Sequence, residues 1–402
     1  MVISKASEYK TKAMLWGSEL INGIRRDLVA ALMLIYFISL GYDVLAVTTM
    51  FALSRLVFLF IEFPTGAFAD HYSRKKSVII SFVLMALSFF GIFIFTDFWI
   101  ISAFYILGDI AWTFQSGTTT AWAVDNLNYG KKKKKLASLF ARLHMFERSG
   151  SIVGGFIGLI IVAVNFRFIW LFIGVVNILW VIIISVMTDE KNFHPKKTKK
   201  HFIVNTFIEA KESLVFIIHK KNKQIKGLAI SVFVGTMAFD AFFIATPLIL
   251  VQILEFSAEK VPLIFSLVAI SALFSPLIGE KSAHAWGFKK SLFVGYVGAG
   301  IAIIVFAFSE SIVLSLLSLA AMHILETAYA CVVYDSAMQH AIPSKTRATL
   351  GSAMSIIWSL GSAIGVGLAG VGIMSIGLVY TTVISGVVGI IAGFLYYCCM
   401  KH

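Results

Sequence analysis

Charged side chains are scarce in this chain: Asp, Glu, Lys and Arg make up 14% of its 402 residues, whereas hydrophobic residues make up 59%. A soluble domain has about 25% charged and about 45–50% apolar residues. The shortage excludes the polar surface that a soluble protein of this length needs, and a lipid bilayer requires no such surface. The composition therefore predicts a membrane protein.

Several functional motifs are also missing. The cysteines Cys331, Cys398 and Cys399 form no CxxC pair, which excludes a disulfide framework and a cysteine zinc site. Neither an H-E-x-x-H motif nor a Walker lysine motif occurs, and the loops are too short for the partner-binding domain of a receptor. Residues 1–16 show no apolar stretch with a cleavage site, so we expect no signal peptide. We predict a protein that is not an enzyme and has no cofactor or bound metal.

Basic residues are more abundant than acidic ones. Lys and Arg number 34 against 21 Asp and Glu, a formal net charge of +13. Excess base can indicate a nucleic-acid partner, but these residues lie in short loops between apolar runs. Membrane topology explains them better, and we expect no nucleic-acid partner.

The apolar runs predict an all-α membrane protein with 12 transmembrane helices, because a span needs about 20 mostly apolar residues. We place spans 1 to 12 near residues 13–40, 44–69, 76–96, 98–124, 136–164, 168–187, 227–250, 261–282, 290–308, 311–338, 346–371 and 377–399.

Span 1 is the least obvious of these. Its clean apolar part, Leu28 to Leu40, is too short to cross a bilayer. The span must therefore reach back through a polar stretch that contains Glu19, Arg26 and Asp27. The rival interpretation is an eleven-span chain whose N-terminus lies outside.

The loops between the spans indicate the orientation of the chain. The proposed inner side carries 27 Lys and Arg residues, whereas the outer loops hold only Arg167 and Lys260. Basic loops stay on the cytoplasmic side of a membrane. We therefore expect both termini in the cytoplasm and a multi-pass protein of a bacterial or archaeal cell membrane.

The longest loop divides the spans six and six. The predicted domains are 1–187, an N-terminal six-helix bundle; 188–226, a cytoplasmic linker; and 227–402, a C-terminal six-helix bundle. Within the linker, residues 203–217 repeat apolar side chains at helical spacing, which predicts an amphipathic helix on the inner membrane surface. The basic run Lys131 to Lys135 either contacts anionic lipids or, as we favour, anchors the topology at the start of span 5.

The two halves resemble each other weakly. Gly150-Ser151-Ile152-Val153-Gly154 in span 5 matches Gly361-Ser362-Ala363-Ile364-Gly365 in span 11. Asp125 ends span 4 as Asp335 ends span 10. These echoes fit a duplicated six-helix unit.

The loop after span 2 carries the most specific motif. It reads Gly66-Ala67-Phe68-Ala69-Asp70-His71-Tyr72-Ser73-Arg74-Lys75-Lys76 and follows Glu62-Phe63-Pro64-Thr65. It resembles the loop signature of the major facilitator superfamily, G-x-L-a-D-r-x-G-r-k, with the E-x-P-T-G lead-in of many bacterial members. Phe68, His71 and Ser73 replace the Leu, Arg and Gly of the signature. A degenerate copy, Gly279 through Gly287-Phe288-Lys289-Lys290, follows span 8.

The resemblance implies a major facilitator fold, with two pseudo-symmetric bundles and a monomer that works as a secondary transporter. The residues Gly66, Asp70, Arg74 and Lys75 then form a conformational-switch loop. A contact that is made in one conformation and broken in another biases a two-state equilibrium. The resemblance implies that Asp70 makes this contact with the start of span 11.

Two further signatures are partial. Gly150-x-x-x-Gly154-Gly155-x-x-Gly158 in span 5 resembles the glycine motif of family antiporters, with Gly155 in place of Pro. Small residues at this spacing are equally typical of close helix packing. In span 4, Gln115-Ser116-Gly117 resembles the R-x-x-q-G motif, but its Arg is missing.

Charges inside the spans are the candidate site residues. A charge at mid-membrane costs about 2.5–3.5 kcal/mol, so such residues face each other, water or a substrate. The resemblance implies that spans 1, 4, 7 and 10 line a central cavity, and these spans carry most of the charges. The candidates for substrate binding and proton coupling are Glu19, Arg25, Arg26, Asp27, Asp109, Asp240, His323 and Glu326.

Helical spacing groups these candidates. Asp109, Thr113, Ser116 and Thr120 would share one face of span 4, and His323 lies one turn before Glu326. Burial among apolar side chains favours the neutral form of a carboxyl, so Asp109, Asp240 or Glu326 is suited to carry a proton. The alternative is a set of fixed ion pairs. For Arg55, Glu62, Arg142, Glu147 and Arg148 we favour structural pairing.

The candidate charges also bear on the cargo. Two arginines against five acids leave a net charge of −3 if all are ionised. This favours a cationic or zwitterionic substrate over a dianion. The sequence thus predicts proton-coupled efflux of a small amphipathic or cationic compound by alternating access. The alternatives are proton-coupled uptake of a nutrient and export of a metal ion or metal chelate.

Overall fold

The computed structural model describes residues 5–127, 133–187, 190, 208, 211, 215, 217, 223–341 and 347–399. Within these ranges every regular element is a helix. The predicted linker helix lies largely outside the described residues, and so do the side chains of Lys131 to Lys135.

The described residues up to 187 form seven helices, α1 (Lys5–Ser39), α2 (Val44–His71), α3 (Arg74–Ile94), α4 (Phe98–Gln115), α5 (Thr118–Asn126), α6 (Lys133–Val164) and α7 (Phe168–Met187). After residue 222 the described α-helices are α8 (Lys223–Leu248), α9 (Val261–Ser271), α10 (Ser275–Phe308), α11 (Ile312–Leu325), α12 (Tyr334–Ala341), α13 (Arg347–Ile376) and α14 (Leu378–Cys399). A 3-10 turn covers Ala258–Lys260, and two π-helical segments cover Ile249–Ile253 and Glu326–Val333.

By length and composition, 10 helical stretches in the described residues are able to cross a membrane. One of them, Ala258–Phe308, is 51 residues long and covers both predicted spans 8 and 9. The helix α1 is not among the ten although it has 35 residues, because charges such as Arg25 and Asp27 interrupt its apolar run.

The chain divides into two compact units. The first comprises Met1–Val29 and Val57–Thr206, and the second comprises Ala30–Leu56 and Phe207–His402. The end of α1 and the start of α2 thus belong to the second unit. The prediction that residues 188–226 separate two bundles of six spans each remains a prediction.

The first unit has a core to which five of its helices contribute. Buried side chains come from α1, α3, α5, α6 and α7, and include Leu15, Phe82, Trp122, Leu139 and Ile184. Burial of each large apolar side chain stabilises by about 1.5–3 kcal/mol in water. In a bilayer, close packing replaces this driving force. The helix α3 lies between α4 and α7 and contacts both.

The second unit is packed around aromatic side chains. Phe242 of α8 and Phe306 of α10 are fully buried, and their rings meet edge to face with centroids 5.7 Å apart. The Tyr296 and Tyr396 rings, from α10 and α14, lie 4.8 Å apart. These contacts join three helices of the unit, and α13 packs against α8 as well.

Predicted span 4 is not one continuous helix, which corrects the expected polar stripe from Asp109 to Thr120. The helix α4 ends at Gln115, and Gly117 adopts a left-handed φ of 66° before α5 begins. A residue with a Cβ would be disfavoured by about 1–2 kcal/mol at such a φ. The junction Ser116–Gly117 therefore turns the later residues onto a different face.

The predicted connection between spans 8 and 9 is present as a kink at Gly287, where two helices meet. Helical structure runs from Ser275 to Phe308 and is interrupted only at Gly287, which has a φ of 76° and a ψ of 165°. The break in span 8 lies earlier, between Ser271 and Ser275. The degenerate motif copy from Gly279 to Lys290 is thus mostly helical.

One π-helical segment follows the end of predicted span 7, and another interrupts predicted span 10. The first follows Pro247, which lacks the backbone N–H for a regular bond. Beyond it, the Leu254 N–H donates to the Ile249 carbonyl 3.0 Å away, a bond across five residues. The second segment begins at Glu326. Such segments are rare and frequently occur at functional sites.

Candidate functional site

The predicted switch loop is built around one guanidinium. Arg74 is the first residue of α3, and its Nη1 donates to Asp125 at the end of α5. Its Nη2 lies 3.3 Å from Asp70 Oδ1, one turn back along the chain. A single arginine thus ties α2 and α5 to the start of α3. The sequence analysis noted Asp125 only because it matches Asp335 in the other half of the chain. In the structure Asp125 is a partner of Arg74.

Glu190 belongs to the same region, and the sequence interpretation missed it. Its carboxylate accepts hydrogen bonds from the Ser73 hydroxyl at 2.5 Å and from the Arg74 N–H at 2.8 Å. The side chain of Lys75 donates to the Ser185 carbonyl at 3.2 Å. A carboxylate at a helix N-terminus is stabilised by the helix dipole. The chain leaving α7 is thereby fastened to the start of α3.

Ser73 is the cap of α3. Its hydroxyl oxygen accepts a hydrogen bond from the Lys76 N–H at 3.0 Å. We expect Ser73→Ala to lower the free energy of unfolding by about 1 kcal/mol, as loss of a serine cap does elsewhere. Thermal unfolding of the purified protein measures this. Ser149→Ala is the matched control, because the Ser149 hydroxyl only bonds within its own helix. Equal stability of both variants would contradict the capping role.

The glycine motif of span 5 lies at a close crossing between α6 and α1. A Cβ at Gly150 would overlap the Leu20 carbonyl oxygen, and a Cβ at Gly154 would lie 3.0 Å from Ile24 Cα. From the other side, a Cβ at Gly23 would overlap the Glu147 carbonyl oxygen. Gly155 and Gly158 are buried as well. Close packing therefore accounts for Gly150 and Gly154.

The matching glycines of the second unit have the same role. A Cβ at Gly361 of α13 would lie 2.7 Å from the Phe233 carbonyl oxygen of α8. A Cβ at Gly365 would lie 2.5 Å from the Met237 carbonyl oxygen. The sequence echo between spans 5 and 11 thus corresponds to one helix crossing in each unit, as internal repeats produce.

The candidate arginines of α1 have partners in the first unit. Arg26 forms an ion pair with Glu147 of α6 and contacts Asp27 at 3.2 Å. The Arg25 guanidinium lies 5.0 Å from the Trp112 ring centroid, within the range of a cation–π contact. The expected structural pairing of Glu147 is therefore present. Glu19 and Asp109 are partly buried in this unit, on α1 and α4.

Asp240 of α8 lies in the second unit beside two polar groups. It shares a hydrogen bond with the Ser362 side chain of α13, and the Arg55 guanidinium lies near enough to attract its carboxylate. Arg55 belongs to the part of α2 that falls in this unit. Asp240 thus has a hydroxyl group and a guanidinium group as neighbours.

Glu326 occupies the first position of the π-helical segment that follows α11. The wider turn places Cys331, five residues on, with its Sγ 3.9 Å from Glu326 Oε1. The His323 ring lies 5.3 Å from the Phe243 ring, centroid to centroid. Both candidates are partly exposed. The contact described for His323 is thus with Phe243, and the contact described for Glu326 is with Cys331.

Metal ligands are not gathered in the part of the chain that the structure describes. No three His, Cys, Asp or Glu side chains there lie close enough together to hold a metal ion. The candidate site residues lie in both units, with Arg26 and Asp109 in the first and Asp240 and Glu326 in the second.

Long apolar helices with paired charges inside them, and an ion-paired connection between α2 and α3, are typical of a multi-pass membrane protein. Residues 15–366 match the sequence profile of the Major Facilitator Superfamily. This chain therefore belongs to the Major Facilitator Superfamily, whose members are transporters and not enzymes.

One relative is the uncharacterized MFS-type transporter YxaM of Bacillus subtilis (strain 168). It is 27% identical over 260 residues, which cover 63% of this chain and 62% of the relative.

Several solved structures share the fold. A bacterial homolog of the human lysosomal transporter Spinster, in an inward-facing and unoccupied conformation, has a TM-score of 0.76 at 14% identity and covers 98% of this chain and 97% of its own. The nucleoside transporter NupG has a TM-score of 0.75 at 14% identity over 98% of this chain and 100% of its own. A POT family transporter in complex with 5-aminolevulinic acid has a TM-score of 0.75 at 15% identity, over 95% and 94%.

Proposed function

We propose that this transporter works by alternating access and exchanges protons for a small amphipathic or cationic compound, which it exports. The observation that carries the proposal is the position of Glu326. A partly exposed carboxyl begins a π-helical segment in the middle of an apolar helix. A carboxyl placed there at a cost of about 2.5–3.5 kcal/mol has a functional reason to be retained.

The proposed topology has twelve spans, both termini in the cytoplasm and the cell membrane as its location. The helix α1 supplies one span beyond the ten, since its 35 residues exceed the length that a bilayer requires. The stretch Ala258–Phe308 supplies two spans, joined near Gly287. The excess of Lys and Arg in the proposed inner loops supports the orientation.

The proposed roles differ between the acids. Glu326 and Asp109 are the candidates for proton or substrate binding. Asp240, beside Arg55 and Ser362, serves in our proposal to hold its helices together. A cationic cargo agrees with the acidic balance of the candidate charges. Export is supported by the segment 150–158, whose glycines resemble the antiporter motif. Close packing against α1 also explains two of these glycines, Gly150 and Gly154.

The switch loop is proposed to set the balance between conformations. Asp70 and Arg74 form an ion pair in the first unit, and Asp125 shares the same guanidinium. Ion pairs that exist in only one state shift a two-state equilibrium by their differential free energy. The further contact of Asp70 with the start of span 11 is part of this proposal.

The proposal is tested by cargo-dependent proton flux. Purified protein is reconstituted into liposomes with a pH-sensitive dye inside, and gradients of ethidium, tetraphenylphosphonium and other organic cations are imposed. We expect proton flux with at least one cation in the wild type, and its loss in Glu326→Gln, since an amide cannot exchange a proton. Cys331→Ser is the matched control, because it alters the neighbouring contact and leaves the carboxyl in place. Undiminished flux in Glu326→Gln would remove Glu326 from the coupling mechanism.

A further inference from the structure

Glu62 is a carboxyl that none of the sites described so far uses. It lies within α2, eight residues before Asp70, and is partly buried. At 1.5 Å per residue this places it about 12 Å along the helix from the loop after α2. An ionised carboxylate at that depth is costly unless a partner stabilises it.

The partner of Glu62 is a hydroxyl group and not a cation. Ser116 Oγ donates to Glu62 Oε1 at 3.4 Å. Among the described residues, no Lys, Arg or His side chain forms a hydrogen bond or ion pair with Glu62.

Other acids in the same helices are held differently. Glu147 pairs with Arg26, while Asp70 and Asp125 share Arg74. An adjacent cation favours the ionised form of a carboxyl. Each of those acids therefore contacts an arginine, whereas Glu62 contacts a hydroxyl.

The charged groups that lie closest to Glu62 in sequence, on its own helix and on the segment of Ser116, make other interactions. On α2 the nearest are Arg55, which attracts Asp240, and Asp70, which pairs with Arg74. On the α4–α5 segment that contacts Glu62, the nearest are Asp109, seven residues before Ser116, and Asp125, which also pairs with Arg74. None of these is a cation in contact with Glu62.

A serine partner suits both protonation states. A hydroxyl can donate one hydrogen bond and accept others. Ser116 therefore donates to the Glu62 carboxylate, and after protonation it can accept from the carboxylic acid. The hydrogen bond survives uptake of a proton, whereas an arginine would lose its partner.

The junction between α4 and α5 holds Ser116 in place. Ser116 is the first residue after α4, with non-helical φ and ψ of −51° and 120°, and Gly117 is exposed with a φ of 66°. On the α3 side, the Ser77 hydroxyl donates to the Phe114 carbonyl at 2.7 Å. The Ser81 hydroxyl donates to Gln115 Oε1 at 3.4 Å. The junction is thus fastened to α3 by two serines and to α2 by Glu62.

We propose that Glu62 is a proton-binding carboxyl and that the Ser116–Gly117 junction is the segment that responds when it is protonated. The reversal of the hydrogen bond between Glu62 and Ser116 alters a polar contact between α2 and this junction, next to the ring contact of Phe68 with Phe114. The part of this inference that concerns transport rests on the proposed proton coupling.

Infrared difference spectroscopy tests the proton binding directly. The reconstituted protein is titrated between acidic and alkaline pH, and the carbonyl stretch of protonated carboxyl groups is recorded. We expect Glu62→Gln to lack one titrating band that the wild type shows. Glu147→Gln is the matched control, since that acid is held by Arg26 and should not contribute the band. Ser116→Ala should keep the band at a shifted frequency, because its hydrogen bond is lost.

The outcomes separate this inference from the proposed function. A spectrum unchanged by Glu62→Gln overturns the proposal, and so does an unshifted band in Ser116→Ala. If Glu62→Gln does not fold, Glu62→Asp keeps a carboxyl and should shift the band. A titrating Glu62 band in a protein without cargo-dependent proton flux upholds proton binding and refutes the proposed function. Wild-type flux that survives Glu62→Gln but not Glu326→Gln upholds the proposed function and refutes a role of Glu62 in it.

Discussion

Gly150→Ala is expected to destabilise the protein by about 1–3 kcal/mol, the usual cost of overfilling a packed interior. The added Cβ would overlap the Leu20 carbonyl oxygen, which belongs to the backbone of α1 and cannot rotate away. The two helices must therefore separate, which also strains the ion pair between Arg26 and Glu147. Thermal unfolding in detergent measures the loss. Gly361→Ala should act in the same direction but less, since its Cβ would lie 2.7 Å from the Phe233 oxygen.

Gly66→Ala is the matched control for this prediction. A Cβ at Gly66 would meet nothing within 4 Å, and the residue lies inside the helix α2. Alanine stabilises a helix interior by about 1 kcal/mol relative to glycine, so we expect this variant to be at least as stable as the wild type. A Gly150→Ala protein that melts with or above Gly66→Ala would show that α1 and α6 do not cross closely here.

Arg74→Met is expected to lower the free energy of unfolding by about 1.5–3 kcal/mol, the range for hydrogen bonds to charged groups. The Arg74 side chain is 17% exposed, and its guanidinium pairs with both Asp70 and Asp125. Removal leaves two carboxylates facing each other without their shared cation. Arg74→Lys should recover only part of the loss, because an ammonium lacks the planar fork that reaches both acids. Unfolding curves of the three proteins measure the difference.

Lys76→Met is the control for loss of positive charge. Lys76 lies two residues further along the same helix and is exposed. A surface substitution of this kind usually changes stability by less than about 0.5 kcal/mol. Equal destabilisation by Arg74→Met and Lys76→Met would attribute the effect to net charge and would refute the bridge between Asp70 and Asp125.

Local patterns were sufficient to predict most of the helices. Apolar runs of the length of a bilayer predicted helices where α2, α3, α7 and α14 occur, because the spanning length is a property of the segment alone. The glycine echo predicted a repeated element, and the structure shows a close crossing at Gly150 and at Gly361. The loop signature contains Asp70 and Arg74, which form an ion pair one turn apart, but the pairing of Arg74 with Asp125 was not predicted.

The interruptions of the helices could not be predicted in the same way. A hydropathy window does not distinguish a regular helix from one that breaks at Gly117 or widens at Glu326, because an average over about 19 residues is insensitive to a local change of the backbone. Glycine permits the left-handed φ that Gly117 adopts, but glycine also occurs in membrane helices for close packing. Its presence alone therefore does not predict a break. The break is supported by the hydroxyls of Ser77 and Ser81 on another helix.

The partners of individual charged residues could not be predicted from the sequence either. Helical spacing indicates which residues share a face, yet Arg26 meets Glu147 across 121 positions of chain. Glu190 lies in a lysine-rich segment and gave no signal, although it caps α3 together with Ser73. Glu62 was expected to be a structural charge, and only the contact with Ser116 shows that its partner is a hydroxyl.

The most direct test of proton-coupled secondary transport is uptake driven by a pH gradient alone. Proteoliposomes with an acidic interior, and without nucleotide, are mixed with the organic cation that gave proton flux. We predict that the cation accumulates inside above its outer concentration and that it leaks out when an ionophore dissipates the pH gradient. Equal cation levels with and without the gradient, in folded wild-type protein, would contradict proton coupling and with it the central claim.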